Sequence, residues 1–313
     1  MLAPLLGVQT MRSLHLRRGA ARDHAMVHSP EAHLPNTSWP TPHRLPALDV
    51  NDIHVWKGDV GVLAEYTAAL GSVLDAGELA RAARFHHKAD HDRYRMSRGL
   101  LRVLAAHYLD RLPAVLTFDA GEFGKPLLTG MDAGRLAFNL SHSGNLILLA
   151  FARTGRVGAD VECWSTRLGD AERERIASSV FSAGERAALA QLPVELRRAA
   201  FYAVWTRKEA YIKATGIGIS RGLDHFEVSV HPDAAGIQSD SRLEGGVAHW
   251  RCFDLSPEPG YSAALVADIG APNLVTMTVD ASLMSGELHG GSSNASHEPQ
   301  REPPAPSTSE REL

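Results

Sequence analysis

The chain has 313 residues, 44% hydrophobic and 22% charged, with 32 Lys plus Arg against 36 Asp plus Glu for a formal charge of −4. That composition suits one large or two small globular domains and excludes a strongly basic nucleic-acid binder. The longest apolar run, Leu146–Ala152, is far too short to cross a bilayer, and Cys163 and Cys252 alone make neither a disulfide framework nor a Cys-based zinc site, so a reducing, cytoplasmic setting is expected.

Residues 1–51 carry Pro4, Pro30, Pro35, Pro40, Pro42 and Pro46 and five of the 16 His, without apolar periodicity, and are expected to be a flexible extension. Arg12, Arg17, Arg18 and Arg22 resemble a transit peptide only weakly, and Met11 or Met26 would serve as alternative starts. Ile53–Trp56 alternates as a strand, and Val60–Leu70 and Asp75–Phe85 read as helices. Arg93–Leu109 places Met96, Leu100, Leu101, Leu104 and Tyr108 on one helical stripe, with Pro113 as a stop. Phe138–Leu140 and Leu146–Ala152 read as strands around a polar turn, Ser141 to Asn145, and Val157–Glu162 as a further short strand. Helices are expected over Ala171–Ser179, Ala183–Gln191 and Leu196–Thr215, then strands over Phe226–Val230, Ala248–Leu255, Tyr261–Ile269 and Leu274–Val279. Ser285–Leu313 has almost no large apolar residue and is expected to be disordered, which puts the tail at 282–313. Helices and strands mix without a βαβ rhythm, so the fold class is α+β. The same order of elements runs twice, predicting two similar half-domains, 52–157 and 158–281, that meet at a cleft.

Four stretches carry chemistry. In Val157-Gly158-Ala159-Asp160-Val161-Glu162 the two carboxylates share one strand face, where like charges repel unless a cation or proton intervenes; oxygen ligands of this kind suit Mg²⁺. In Trp205-Thr206-Arg207-Lys208-Glu209-Ala210-Tyr211-Ile212-Lys213 a spacing of four puts Trp205, Glu209 and Lys213 on one helix face, so Glu209 would add a carboxylate and Lys213 a phosphate contact. Phe123-Gly124-Lys125-Pro126 presents Lys125 on a tight turn, and Asn139-Leu140-Ser141-His142-Ser143-Gly144 offers hydroxyls, an imidazole and backbone N–H groups that suit a phosphate. Arg81, Arg84, Lys88, Arg93, Arg95, Arg98 and Arg102 form a basic cluster in a net acidic chain. Each stretch alone has a plain structural alternative: solvated acids at a strand end, a surface Glu–Lys pair, an ordinary polar hairpin, a solvated helix face.

In this order and spacing, however, the stretches at 123–126, 139–144, 157–162 and 205–213 together resemble the Sfp-type 4′-phosphopantetheinyl transferases, over about residues 52–270. The resemblance implies two similar α+β halves in pseudo-twofold relation, with the active site between them. It implies transfer of the phosphopantetheine arm of coenzyme A to a serine of an apo acyl or peptidyl carrier protein, releasing 3′,5′-ADP. It further implies Mg²⁺, with Mn²⁺ as the alternative, on Asp160, Glu162 and Glu209; phosphate contacts from His142 and Lys213; a nucleotide pocket lined by Lys125 and Ser141; and 3′-phosphate contacts from Arg81 and Arg93. Glu209, Lys213 and His142 would be the catalytic groups, Glu209 taking the serine proton directly or through water. Glu78 stands where some members carry a basic residue, and Lys208 has no assigned role. Two half-sites in one chain make a monomer sufficient, and neither nucleic acid nor membrane is an expected partner. The rival readings are a Mg²⁺-dependent pyrophosphohydrolase acting on coenzyme A or a nucleotide, and a non-catalytic carrier-binding protein. The pathway of the carrier, whether fatty-acid, polyketide or nonribosomal-peptide, is left open.

Overall fold

The structure is a computed structural model describing residues 38–121, 125–165, 168–216 and 222–289; Phe123 and Gly124, and most of the expected extension and tail, lie outside the described residues. The first half runs β1 (Asp52–Asp59), short helices α1 (Val60–Leu63), α2 (Thr67–Ser72) and α3 (Ala76–Ala82), the long helix α4 (Lys88–Leu109), hairpin β2 (Phe118–Ala120)–β3 (Pro126–Leu128), and hairpin β4 (Ala137–Ser143)–β5 (Leu146–Ala152). The second half repeats the order: β6 (Val157–Cys163), α5 (Asp170–Val180), α6 (Ala183–Gln191), the long helix α7 (Val194–Thr215), hairpin β7 (Phe226–Val228)–β8 (Ile237–Asp240), and hairpin β9 (Arg251–Leu255)–β10 (Tyr261–Ala267). Strand β11 (Asn273–Val279) and helix α8 (Ala281–His289) follow.

The sheets match. One has the order β11-β1-β5-β4 and the other β6-β10-β9, so β1, β5 and β4 correspond in turn to β6, β10 and β9. The long helices correspond as well, each 22 residues and each ending at a left-handed residue, Asp110 or Gly216. The repeat reaches individual ion pairs. Glu78 is the third residue of α3 and closes a capping box with Asp75; Glu185 does the same in α6 with Ser182. Each acid is then neutralised from the fifteenth residue of its long helix: Arg102 Nε donates to Glu78 at 2.6 Å, and Lys208 Nζ lies 2.9 Å from Glu185. These buried groups could not sit in a low-dielectric core without each other.

The two sheets pack face to face, with a long helix on each outer side. Period-two alternation explains why β5 is apolar at every position and wholly buried. Its Ile147, Leu149 and Phe151 join the α4 core, while Leu146, Leu148, Ala150 and Ala152 meet Val157, Ala159 and Val161 of β6 between the sheets. Gly158 lets α7 lie directly on the other face of β6, since a Cβ there would fall 2.1 Å from the Ala210 carbonyl oxygen.

Several expectations are corrected. The packed region begins before 52: Leu45 and Leu48 are buried, and Thr278 binds the Trp39 and Pro40 carbonyls. It continues beyond 281, where Leu283 and Met284 are buried in the first-half core. β11 pairs in parallel with β1, so the last strand expected in the second half completes the first sheet instead. The helix expected over Val60–Leu70 is interrupted by a 3₁₀ turn at Ala64–Tyr66, and the β2–β3 hairpin and β8 were not foreseen. The polar turn expected at Ser141 to Asn145 shrinks to Gly144-Asn145, with Gly144 at φ +56°. Its polar residues belong to β4 and bond outward to β6.

Candidate active site

Strand β4 lies at the edge of one sheet and β6 at the edge of the other. Along their seam the β4 side chains at alternate positions replace a backbone ladder. Asn139 Oδ1 accepts from the Ala159 N–H (2.9 Å), Ser141 Oγ donates to Asp160 Oδ1 (2.8 Å), and Ser143 Oγ donates to Glu162 Oε2 (2.8 Å) while accepting from the Cys163 N–H (3.1 Å). The first half thus holds the two carboxylates of the second. Period two also turns Phe138 and Leu140 toward the first-half core and leaves His142 on the face that lines the cleft.

On the other side of Asp160 stands α7. Lys213 Nζ lies 2.5 Å from Asp160 Oδ1, 3.1 Å from Ser141 Oγ and 3.2 Å from the Ala159 carbonyl. Glu209, one turn earlier, is 6% exposed and close enough for its charge to bear on Glu162. Burial, reinforced by the charges of Asp160 and Glu209 and opposed by the Ser143 hydroxyl and Lys213, pushes Glu162 up to about 8.

A cleft of about 810 Å³ opens in front of these groups. Ser141, His142, Asp160 and Glu162 line it together with Arg81 and Arg93, and Phe85, Tyr94 and Phe118 give it apolar surface. Seven of the residues singled out in the sequence therefore gather around the seam and its cleft, counting Lys213 behind Asp160. Glu209 does not line the cleft and lies deeper. Lys125 is not among the residues that line it; its Nζ donates to the Lys213 backbone carbonyl at 2.7 Å. The basic cluster divides. Arg98 and Arg102 are buried against Glu78, Lys88 pairs at the surface with Asp92, and Arg93 pairs with Asp90 at the cleft.

The oxygen donor set fits a hard divalent cation. Asp160 Oδ2 is buried with no hydrogen-bond partner among the described residues, and Glu162 stands beside it under like-charge repulsion that a cation would relieve. Among the described residues no three His, Cys, Asp or Glu side chains converge as a ready ligand set; Lys213 supplies the positive charge at Asp160.

Residues 156–266 match the 4′-phosphopantetheinyl transferase superfamily, and residues 62–154 match the 4′-phosphopantetheinyl transferase N-terminal family. The 4′-phosphopantetheinyl transferase HetI of Nostoc sp. is 34% identical over 76% of this chain and 96% of its own length. The chain belongs to the Sfp-type 4′-phosphopantetheinyl transferases. Sfp of Bacillus subtilis is 30% identical over 63% of this chain and 83% of its own, and AcpT of Salmonella typhimurium 39% over 48% and 74%. The two matched regions divide close to the boundary between the two halves, and enzymes of this family move the phosphopantetheine group from coenzyme A to carrier proteins.

In this phosphopantetheinyl transferase Glu78 lines the cleft but is 6% exposed and neutralised by Arg98 and Arg102, so it opposes a phosphate less than its bare charge suggests. Lys208 is fully buried on the Leu223 and Phe226 carbonyls and Glu185. Sequence reasoning missed Asn139 and Ser143 as groups that hold the site. The available signal was the alternation of Asn139, Ser141 and Ser143, hidden by reading Ser141 onward as a turn.

Proposed function

We propose that this chain transfers the 4′-phosphopantetheine arm of coenzyme A to a serine of an apo acyl or peptidyl carrier protein, releasing 3′,5′-ADP. The observation that carries this reading is the cleft itself, lined by arginines and by paired carboxylates with Lys213 behind Asp160, in a chain of this family. Displacement at a phosphoryl centre demands alignment and charge neutralisation more than a protein nucleophile. Arg81 and Arg93 bind the 3′-phosphate, a group remote from the reacting bond, and so act mainly on substrate affinity. Asp160 and Glu162, with Glu209 as the third carboxylate, are the residues that would hold Mg²⁺, or Mn²⁺ in its place, whose contribution there is charge neutralisation at the pyrophosphate. Lys213 and His142 face the charge that develops on the leaving phosphate. Ser141 keeps Asp160 and Lys213 in register. Glu209, lying behind the cleft wall, receives the carrier serine proton through a bridging water.

No described helix is long and apolar enough to cross a membrane. Both cysteines are free thiols, which supports a reducing, cytoplasmic setting, and one chain supplies both sides of the cleft, which supports action as a monomer. The deciding experiment incubates the protein with coenzyme A, Mg²⁺ and candidate apo-carriers and reads the carrier by mass spectrometry. A serine-linked phosphopantetheine is the expected result. Release of 3′,5′-ADP without carrier would identify a pyrophosphohydrolase instead, and carrier binding without product a non-catalytic partner.

A further inference from the structure

We infer that Lys125 is a positioning residue, which grips the last turn of α7 from the first half and thereby aims the Lys213 ammonium at Asp160 and the cleft. The inference rests on the reading of Lys213 as the phosphate-facing cation.

An α-helix ends with four carbonyls that have no partner within the helix. In α7 the Gly216 N–H, in left-handed backbone, takes the Ile212 carbonyl at 2.9 Å. The next carbonyl is that of Lys213. Lys125 Nζ takes it at 2.7 Å, placing an ammonium at the negative end of a 22-residue helix dipole. The donor is itself anchored. The Lys125 carbonyl accepts from the Gly121 N–H at 2.8 Å, and Pro126 opens β3, which pairs with β2. The grip therefore comes from the hydrogen-bonded base of a hairpin in the first half and acts on a helix of the second.

The same residue that Lys125 holds by its backbone reaches Asp160, Ser141 and the Ala159 carbonyl with its side chain. The long Lys213 side chain has many rotamers, and its aim depends on where its Cα stands. Fixing the carbonyl fixes the peptide plane from which the chain departs. Burial, then the nearby charges of Lys213 and Arg156, lowers the Lys125 ammonium to about 8, as a group enclosed beside other cations should behave.

The test compares wild type, Lys125→Met and Lys125→Arg in the full chain by three measurements: the dissociation constant for coenzyme A by calorimetry, kcat on one apo-carrier at saturating coenzyme A, and amide hydrogen exchange across Lys213–Gly216. Lys125→Met is expected to lower kcat by about 10–100-fold, the range for a displaced catalytic group, with coenzyme A affinity kept within about twofold. Exchange should quicken in the last turn of α7 and nowhere else, and Lys125→Arg should restore both properties in large part. A variant that loses coenzyme A affinity about tenfold, with kcat and helix-end exchange unchanged, would show that Lys125 contacts the nucleotide and would overturn the inference. Unchanged values throughout, or faster exchange over the whole chain, would overturn it equally. If wild type modified no carrier at all, the transferase reading would fail by itself, while exchange and affinity would still decide the role of Lys125.

Discussion

Asp160 ties the two halves together at the seam. It receives a hydroxyl from β4 and an ammonium from α7, and keeps one oxygen free of both. Asp160→Asn preserves an acceptor for Ser141 and Lys213 while removing the charge. It should lower transfer by at least about 10²-fold, the scale for losing one preorganised electrostatic group, and leave the melting temperature almost unchanged. Steady-state transfer and a thermal melt on the same preparation check both halves of that statement. Glu162 gives a second, independent handle. Its folded-state value of about 8 lies above the ordinary 4.5, so between those values the folded chain holds a proton that the unfolded chain has lost. Stability without metal should therefore be full below about 4.5 and fall as pH rises through about 8. Glu162→Gln should flatten that part of the profile. Melting temperatures in a chelator across this range, for wild type and variant, decide it; a wild-type profile as flat as that of the variant would refute the assignment. Sequence alone suggested that Asp160 and Glu162 share a face. It did not reveal that Ser143 and Lys213 restrain them, because those contacts join segments far apart in the chain.

At the scale of elements, two long helices do matching work with unlike chemistry. The stripe of Met96, Leu100, Leu101 and Leu104 was legible because α4 buries it against a sheet, the ordinary source of helical periodicity. α7 is harder to read. Almost every residue from Ala200 to Ile212 is buried, charged ones included, so no polar face remains to set a period. Its charges are satisfied by distant backbone and acids: Arg207 by Asp254 with the Ser229, His231 and Pro232 carbonyls, Lys208 by Glu185. Burial raises Glu185 and lowers Lys208 from their ordinary values, the sign that each stays charged only through its partner. Lys208→Met should thus cost about 3–5 kcal/mol by stranding the buried acid, while Lys208→Met with Glu185→Leu should recover a large part of that loss. Urea unfolding of both variants and of Glu185→Leu closes the cycle. Additive losses would show that the two groups act separately.

The whole molecule is a duplicated unit closed by segments that belong to neither copy. Hydropathy patterns exposed the repeat, since each copy must bury a sheet between a helix and the other sheet. The closing segments were read as loose because their apolar residues are few and irregularly spaced: Trp39, Leu45 and Leu48 before β1, Leu283 and Met284 after β11. Irregular spacing is what a strap needs when it lies against a surface that other elements have already shaped, and a period-based reading discards it. Their contribution is calculable in outline. Burying a Leu or Met side chain is worth about 1.5–3 kcal/mol, so losing Leu45, Leu48, Leu283 and Met284 together exceeds half the stability of many domains of ordinary size. The strap also covers an edge: Thr278 of β11 binds the Trp39 and Pro40 carbonyls, so removing residues 38–51 would bare a parallel strand to other chains. Two trimmed proteins separate these contributions from those of the polar ends. A chain of 38–289 should keep the melting temperature and transfer rate of the full protein, since neither removed end shows the apolar periodicity of a packed element. A chain of 52–281 should melt at least about 10 °C lower and aggregate on heating, with kcat per folded molecule little changed because the seam residues all remain. Equal melting temperatures for the two trimmed chains would show that the straps add nothing and that the expected boundaries at 52 and 281 were right for stability.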